Sequence, residues 1–325
     1  MDLTQLTIET LKKRVKIPVI MAPMFIISTP KTVLAACKEG IIGSFPLLNA
    51  RTVNQLDEWL TDLNDEMKRI ETEEGTVAPY AVNFIAHRAH NKRYEEDLKM
   101  IEKHQPPIVI TSLGDPGPIK EIVSAYGGLV FSDVINTRFA KKAIEKGTDG
   151  LVLITNGAGG HGGTLNPFAF IQEVKQFWDG PVILGGAIST GSDVLATEVL
   201  GADFAYVGTR FIPAKEMGAD EDYKQMIVDS TSQDVVYTPA ISGIHANFLL
   251  PSLQKVGIDP NGLPDDGKAD LGGNRKAWKD IWSAGQGVGS VQAIESMKDI
   301  VDQMHEQYER EVERVSQKRS STSNV

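Results

Sequence analysis

The residues best placed to do chemistry in this 325-residue chain lie in one glycine-rich segment. Residues 156–163 read NGAGGHGG, and we call them the glycine segment. Five of the six residues at positions 157–160 and 162–163 are glycine, so His161 carries the ionisable side chain there. An unshielded neutral imidazole can accept a proton near pH 7. His161 is therefore a candidate base, and a loop histidine that only hydrogen-bonds to the backbone is the alternative.

Two further glycine clusters follow along the chain. Gly185 and Gly186 form one, and Gly208, followed by Thr209, forms the other. Because glycine has no Cβ, its backbone can approach a ligand closely and point N–H groups at an anion. The Thr209 hydroxyl can donate a further hydrogen bond. These clusters favour a phosphate-bearing ligand, and tight turns that need no ligand are the alternative.

The elements that position these residues are short β-type runs that alternate with longer helical patterns. The runs cover residues 18–24, 41–45, 80–85, 107–112, 129–132, 150–155, 181–185 and 202–207. Eight evenly spaced units predict an α/β fold, a (β/α)8 TIM barrel, rather than an open doubly wound sheet. The three glycine clusters then follow strands six, seven and eight, at the face where barrels bind their ligands.

The pattern changes after residue 211, which predicts a barrel over residues 1–211 and a C-terminal extension over residues 212–325. The extension is expected to be mostly helical and to cover the barrel mouth. Its predicted parts are helices over 217–230 and 288–316, a long loop over 257–275 and a disordered tail over 317–325. Residues 240–290 are expected to shield a ligand in the mouth.

Composition narrows the function classes. A net charge of −10 argues against a general nucleic-acid binder, which needs Lys and Arg to neutralise phosphates. One cysteine, Cys37, excludes an intramolecular disulfide and is predicted to be buried in the first helix. Spacings typical of metal ligands are missing, so no metal is expected. With no signal sequence or membrane span recognised, we expect a cytoplasmic protein that acts on a small molecule.

Several motifs together resemble the nitronate monooxygenase family, formerly called 2-nitropropane dioxygenases. They are PVIMAPM at 18–24, VN at 82–83, GAGGHGG at 157–163, GGAISTG at 185–191 and GADFAYVGTRF at 201–211. Residues 281–287, IWSAGQG, resemble a late motif of the same superfamily. The resemblance covers residues 15–290.

The resemblance implies a barrel that binds FMN. By position, Ala22, Pro23 and Met24 would run along the flavin ring, with Asn83 beside it. Gly159 and Gly160 would line the ring pocket, and Gly185, Gly186, Gly208 and Thr209 would hold the phosphate. His161 would be the active-site histidine. Members often carry Gln-Gly and Glu where this chain has Ile154, Thr155 and Gly157, a departure that bears on one flavin hydrogen bond and on substrate preference.

The reaction implied is oxidation of an alkyl nitronate by O2 to a carbonyl compound and nitrite, with His161 as base or as the group that orients the substrate. The same superfamily includes flavin-dependent enoyl-acyl-carrier-protein reductases and NADH:quinone reductases, so an NAD(P)H-dependent flavin reductase is the first alternative. A non-catalytic barrel that binds flavin or another phosphate ligand is the second. A homodimer is left open.

Overall fold

Eight parallel strands form a closed barrel in the computed structural model, which describes residues 6–73, 75–264 and 276–322. The barrel strands are β1 (Val19–Met21), β2 (Gly43–Pro46), β3 (Tyr80–Ile85), β4 (Ile108–Ser112), β5 (Leu129–Val134), β6 (Gly150–Ile154), β8 (Val182–Gly185) and β9 (Phe204–Val207). A parallel bridge between Ile20 and Ile42 joins the first two strands, and the Met21 N–H donates to the Ile42 carbonyl at 2.8 Å. The closed sheet confirms the TIM barrel and excludes the open doubly wound sheet.

Helices connect these strands and surround the sheet. They are α1 (Ile8–Lys12), α2 (Pro30–Lys38), α3 (Val53–Glu73), α4 (Tyr94–His104), α5 (Gly117–Ala125), α6 (Thr137–Glu145), α7 (Pro167–Val174) and α8 (Gly191–Leu200). Local sequence sets their ends. Thr190 begins α8 with a capping box to Asp193, and Gly201 ends it in the left-handed conformation with φ 99°. Cys37 is buried in α2 as expected, and burial raises the pKa of its thiol to about 12.

Alternate residues of each barrel strand point inward because side chains in a strand change face at every step. The inward side chains form one apolar cluster that includes Ile20, Ile42, Ala81, Ile110, Phe131, Val152, Ile183 and Phe204. The next inward position along each strand therefore faces the mouth. These positions decide what a ligand in the mouth would touch.

The last helix, α11 (Met297–Thr322), packs against α8 and α2 on the outside of the barrel. Arg210, which follows β9, is buried and donates to Glu295 at 2.9 Å and to Gln303 at 3.0 Å. These contacts tie the start of α11 to the loop after the last barrel strand. The division of the chain after residue 211 stays a prediction.

The extension contains strands that its sequence did not predict. Strands β10 (Val235–Thr238) and β11 (Ala246–Leu249) pair antiparallel with each other, and β11 pairs with β7 (Gly160–His161) of the glycine segment. Helices α9 (Glu221–Asp229) and α10 (Leu250–Lys255) accompany them. A small apolar cluster supports this sheet; its buried members are Ile241, Ala246, Phe248, Leu253 and Ile281.

Two predictions about the end of the chain were wrong. Helix α11 begins at Met297 rather than at 288, because residues 286–290 form a 3₁₀ turn instead. The tail predicted as disordered from residue 317 continues the helix through Thr322, supported nearby by the Arg314–Glu311 ion pair at 2.6 Å. Residues 323–325 lie outside the described residues, as do residues 265–275 of the predicted loop.

No helix in the part of the chain that the structure describes is long and apolar enough to cross a bilayer.

The close approach of α11 to α8 predicts a large effect of Gly191→Ala. The added Cβ would overlap the Met304 carbonyl oxygen and come within 2.5 Å of the Tyr308 nitrogen. Gly→Ala in a helix normally stabilises by about 0.5–1 kcal/mol, but overpacking costs about 1–3 kcal/mol. We expect a net lower free energy of unfolding in urea titrations, whereas Val199→Ala at an exposed position of α8 should change it little. An unchanged denaturation midpoint for Gly191→Ala would contradict the helix contact.

Candidate active site

The extension holds the glycine segment through backbone and side-chain hydrogen bonds. Within the small antiparallel sheet, His161 is paired with Ala246 and Gly160 with Asn247. The Gly160 N–H donates to the Ser283 hydroxyl at 2.6 Å, and the Asn247 amide donates to the Ala158 carbonyl at 2.6 Å. Glycine alone would allow the backbone of this segment many conformations. Hydrogen bonds from the extension therefore fix its course.

The His161 ring is placed by two residues of the extension. It meets Trp278 edge to face with ring centroids 5.2 Å apart, and its Nε2 lies 3.3 Å from the Ser242 hydroxyl. The side chain remains exposed, but the protein around it lowers its pKa below the ordinary 6.5, since desolvation disfavours the charged imidazolium. His161 is therefore mainly neutral at pH 7 and able to accept a proton.

The loops after β8 and β9 present unpaired N–H groups. Among the described residues, the N–H groups of Gly186, Ala187, Gly208 and Thr209 donate to no backbone carbonyl. The Thr209 hydroxyl accepts from the Gly285 N–H at 2.8 Å, which leaves the hydroxyl proton free to donate. N–H groups that lack protein acceptors in adjoining loops are suited to an anion.

Gly208 and the end of β1 border an open space. A Cβ added to Gly208 would meet only Ala22 Cβ at 3.7 Å and Met24 Sδ at 3.8 Å, both ordinary contacts. Ala22, Pro23 and Met24 are half-buried, and the Asn49 amide fixes their course by donating to the Met24 carbonyl at 3.0 Å. No packing within the described part of the chain therefore requires glycine at position 208.

Three other glycines are explained by packing of the chain on itself. A Cβ on Gly159 would come within 2.9 Å of the Gly285 nitrogen, and one on Gly186 would overlap the Thr155 hydroxyl. A Cβ on Gly185 would press on Tyr206 at 3.2 Å. Their predicted contacts with a ligand, like that of Gly160, stay predictions.

Four polar side chains form the floor of the mouth, and we call them the floor cluster: Asn83, Ser112, Asp133 and Tyr206. The Asn83 amide donates to the Ile110 carbonyl at 3.0 Å and to the Ser112 hydroxyl at 2.8 Å, and that hydroxyl donates to Asp133 Oδ2 at 2.5 Å. Asp133 Oδ1 and the Tyr206 hydroxyl are buried without a hydrogen-bond partner in the described part of the chain. Burial raises the pKa of Asp133 to about 7.

Only Asn83 of the floor cluster was predicted from the sequence. The strand predicted over residues 129–132 ends before Asp133, whereas β5 extends to Val134 and continues the inward face of Phe131 to Asp133. The signal that could have found Asp133 is this alternation, with a carboxylate at an inward position where apolar residues precede it. Across residues 6–73, 75–264 and 276–322, no group of three or more His, Cys, Asp or Glu side chains could hold a metal ion.

Comparison with known proteins places this geometry in a family. The family model for nitronate monooxygenase matches residues 46–307. The chain belongs to the nitronate monooxygenase family. A nitronate monooxygenase of Paraburkholderia phytofirmans is 28% identical over 290 residues, 75% of this chain and 76% of the relative. A probable nitronate monooxygenase of Staphylococcus aureus is 24% identical over 264 residues, 70% of this chain and 74% of the relative. The family resemblance read from the motifs is thereby confirmed, and the chain is an oxidoreductase.

Solved structures share the whole architecture. FabK from Thermotoga maritima superposes with a TM-score of 0.76 at 21% identity, covering 95% of this chain and 97% of that one. Nitroalkane oxidase from Streptomyces ansochromogenes gives 0.75 at 19% identity, covering 92% and 98%. At these identities the likeness establishes the fold, and the extension is part of the shared architecture because the coverage is nearly complete.

The environment of His161 predicts where its imidazole titrates. Because the folded protein disfavours the imidazolium, the midpoint should lie below 6.5. The same shift means that folding stability falls as the pH drops from the unfolded pKa to the lower folded pKa. The measurement is the NMR pH titration of the imidazole Cε1–H, assigned by its loss in His161→Asn. A midpoint at or above 6.5 would contradict the desolvated environment.

Proposed function

We propose that this protein uses FMN to oxidise alkyl nitronates with O2 to a carbonyl compound and nitrite. The observation that carries the proposal is the match of the nitronate monooxygenase family model to residues 46–307. It is supported by the neutral imidazole of His161, by the unpaired N–H groups after β8 and β9, and by the buried polar atoms that have no partner in the described part of the chain. The relatives' names supply the substrate class, and the site supplies residues suited to it.

The residues present fit FMN. The N–H groups after β8 and β9 would hold the phosphate, helped by the Thr209 hydroxyl, and the open space at Gly208 would admit it. Ala22 to Met24 and Asn83 would lie along the ring, with Gly159 and Gly160 lining its pocket. Bound FMN would supply the electron acceptor that no side chain of the chain offers.

His161 would act on the substrate. As a neutral imidazole it would take the α-proton of a neutral nitroalkane, which leaves the nitronate anion, or it would orient a nitronate that arrives already ionised. Trp278 and Ser242 would hold the ring in place for either task. The extension would limit water at the mouth, because Gly285 and Gln286 lie directly on the glycine segment, where the Gln286 N–H donates to the Gly157 carbonyl at 2.8 Å.

A reductase is the second candidate, because a barrel of this shape is also found in proteins of that class. The enoyl reductase domain of MlnA from Bacillus amyloliquefaciens superposes with a TM-score of 0.68 at 12% identity. A protein that reduces its flavin with NADH or NADPH would use the same cradle and floor. A barrel that binds flavin without catalysis is the third candidate.

Anaerobic mixing separates the three candidates. We expect the purified protein to be yellow and to release FMN on denaturation, and an alkyl nitronate to bleach the bound flavin without oxygen. Admission of O2 should restore the colour, and nitrite should form. Bleaching by NADH or NADPH but not by nitronate would identify a reductase. Bleaching by neither would identify a binding protein, and a colourless protein that FMN does not reconstitute would refute the flavin assignment.

His161→Asn tests the role of the imidazole. Asparagine keeps a hydrogen-bonding group but removes the base, and a general base contributes roughly 10²–10⁴-fold. Turnover of a neutral nitroalkane should fall by that order. Turnover of the preformed nitronate, which needs no proton removed, is the internal control and should fall much less. FMN content should remain near wild type because the predicted phosphate contacts are elsewhere.

The two substrates distinguish the possible roles of His161. Equal losses on both, with FMN retained, would show that His161 binds or orients the substrate rather than removing its proton. Full activity on both would return His161 to the role of a loop histidine that only makes structural hydrogen bonds.

A further inference from the structure

The floor cluster contains two buried polar atoms that have no hydrogen-bond partner in the described part of the chain. Asp133 Oδ1 and the Tyr206 hydroxyl are both buried and unpartnered. Native proteins leave few buried polar groups in this condition, since each costs free energy when water is lost and no partner replaces it. A pair of such groups at the same end of one barrel calls for a ligand.

The hydrogen-bond chain indicates which oxygen of a neutral Asp133 carries the proton. The Asn83 amide donates to Ser112 Oγ, and the Ser112 hydroxyl donates to Asp133 Oδ2 at 2.5 Å. Oδ2 is therefore an acceptor, and the carboxylic proton is on the unpartnered Oδ1. Asp133 presents this O–H as a donor with nothing to receive it.

The surroundings of Asp133 favour its neutral form. The other inward residues at this level are Ala22, Ser44, Ile154 and Gly185, which carry no charge. Among the described residues, Tyr206 is the titratable group that shares the level, and the nearby Asp133 raises the pKa of its phenol further. With no cation to favour the carboxylate, burial favours the acid, as the raised pKa of about 7 reflects.

Gly185 gives Tyr206 its position. A Cβ added to Gly185 would lie 3.2 Å from Tyr206 Cβ and 3.2 Å from Tyr206 Cδ1. The tyrosine ring thus lies close against the end of β8, where a larger residue would displace it. This arrangement keeps the second donor on the floor of the mouth.

We propose that protonated Asp133 and Tyr206 are positioning residues that donate hydrogen bonds to the carbonyl oxygens on the uracil-like edge of the flavin ring. The inference rests on the FMN binding proposed above and deepens it. Two donors match an edge that has two carbonyl oxygens, and neither donor carries a charge that would oppose a ligand phosphate. The pair gives the floor of the barrel selectivity for a flavin over a phosphate ligand without such an edge.

The test compares FMN binding by apoproteins of wild type and four variants. Asp133→Leu and Tyr206→Phe each remove one donor and should weaken FMN binding by about 3- to 10-fold, the worth of one hydrogen bond. Asp133→Asn retains a donor and should bind about as tightly as wild type. Ser132→Ala is the matched control, because Ser132 is the buried neighbour whose hydroxyl bonds Thr111 and Thr148 instead.

Stability of the apoproteins separates a ligand contact from a structural one. Leucine at 133 removes a buried group without a full set of partners, so the Asp133→Leu apoprotein should unfold at a higher temperature than wild type while binding FMN more weakly. In wild-type apoprotein, the infrared band of a protonated carboxyl should disappear as the pH is raised, with a midpoint near pH 7. The band should be missing in Asp133→Asn.

The outcomes are distinct. Unchanged FMN affinity in both Asp133→Leu and Tyr206→Phe, or a loss equal to that of Ser132→Ala, overturns the inference while leaving the proposed function in place. A lower unfolding temperature for Asp133→Leu, or the carboxyl band missing from wild type below its expected midpoint, also overturns it. A wild-type protein that binds no FMN overturns the inference and the proposed function together.

Discussion

The pairing of β11 with the glycine segment is the contact on which the candidate active site depends. A run of glycines has no side chains to fix its course and loses more conformational freedom on ordering than any other sequence. The chain compensates from outside, with ladder hydrogen bonds from β11, the Ser283 hydroxyl and the Asn247 amide. These contacts also position the His161 imidazole, because His161 is one of the two residues of the glycine segment that pair with β11. The pairing thereby limits the mobility that glycine would otherwise give this loop.

At one end of the barrel interior, polar side chains suit a binding site but lower the stability of the fold. Most inward positions are apolar and close-packed, as a barrel core requires. At the level of the mouth, the inward side chains of the floor cluster are instead an amide, a hydroxyl, a carboxyl and a phenol. Two of their polar atoms lack hydrogen-bond partners among the described residues, which costs about 1–3 kcal/mol each. Polar side chains at positions where apolar ones would give a more stable core are typical of sites where a ligand completes the hydrogen bonding.

The architecture and much of the site could be read from the sequence, because both depend on local signals. Helix α8 was predicted over its exact range, since Gly191 and Gly201 mark its ends. Strands β10 and β11 were missed because they are short and one of their partners is a loop some 85 residues away along the chain. Asp133 was missed through a boundary error of two residues, which turned an inward strand position into an apparent loop. Sequence reasoning did not find the strands that pair with residues far along the chain. It also missed side chains whose role depends on which face of a strand they occupy.

The packing of α11 on Gly191 has a consequence for the order in which the protein becomes functional during synthesis. All eight barrel strands leave the ribosome before the segments that brace the mouth, because β11, Gly285 and α11 come later in the sequence. Contacts between such distant residues carry a large loop-closure cost and form late. The nascent barrel therefore exposes its glycine-rich loops and polar floor while it is still unbraced. The contacts that hold the glycine segment are therefore completed last, and a chain that stops before β11 lacks them.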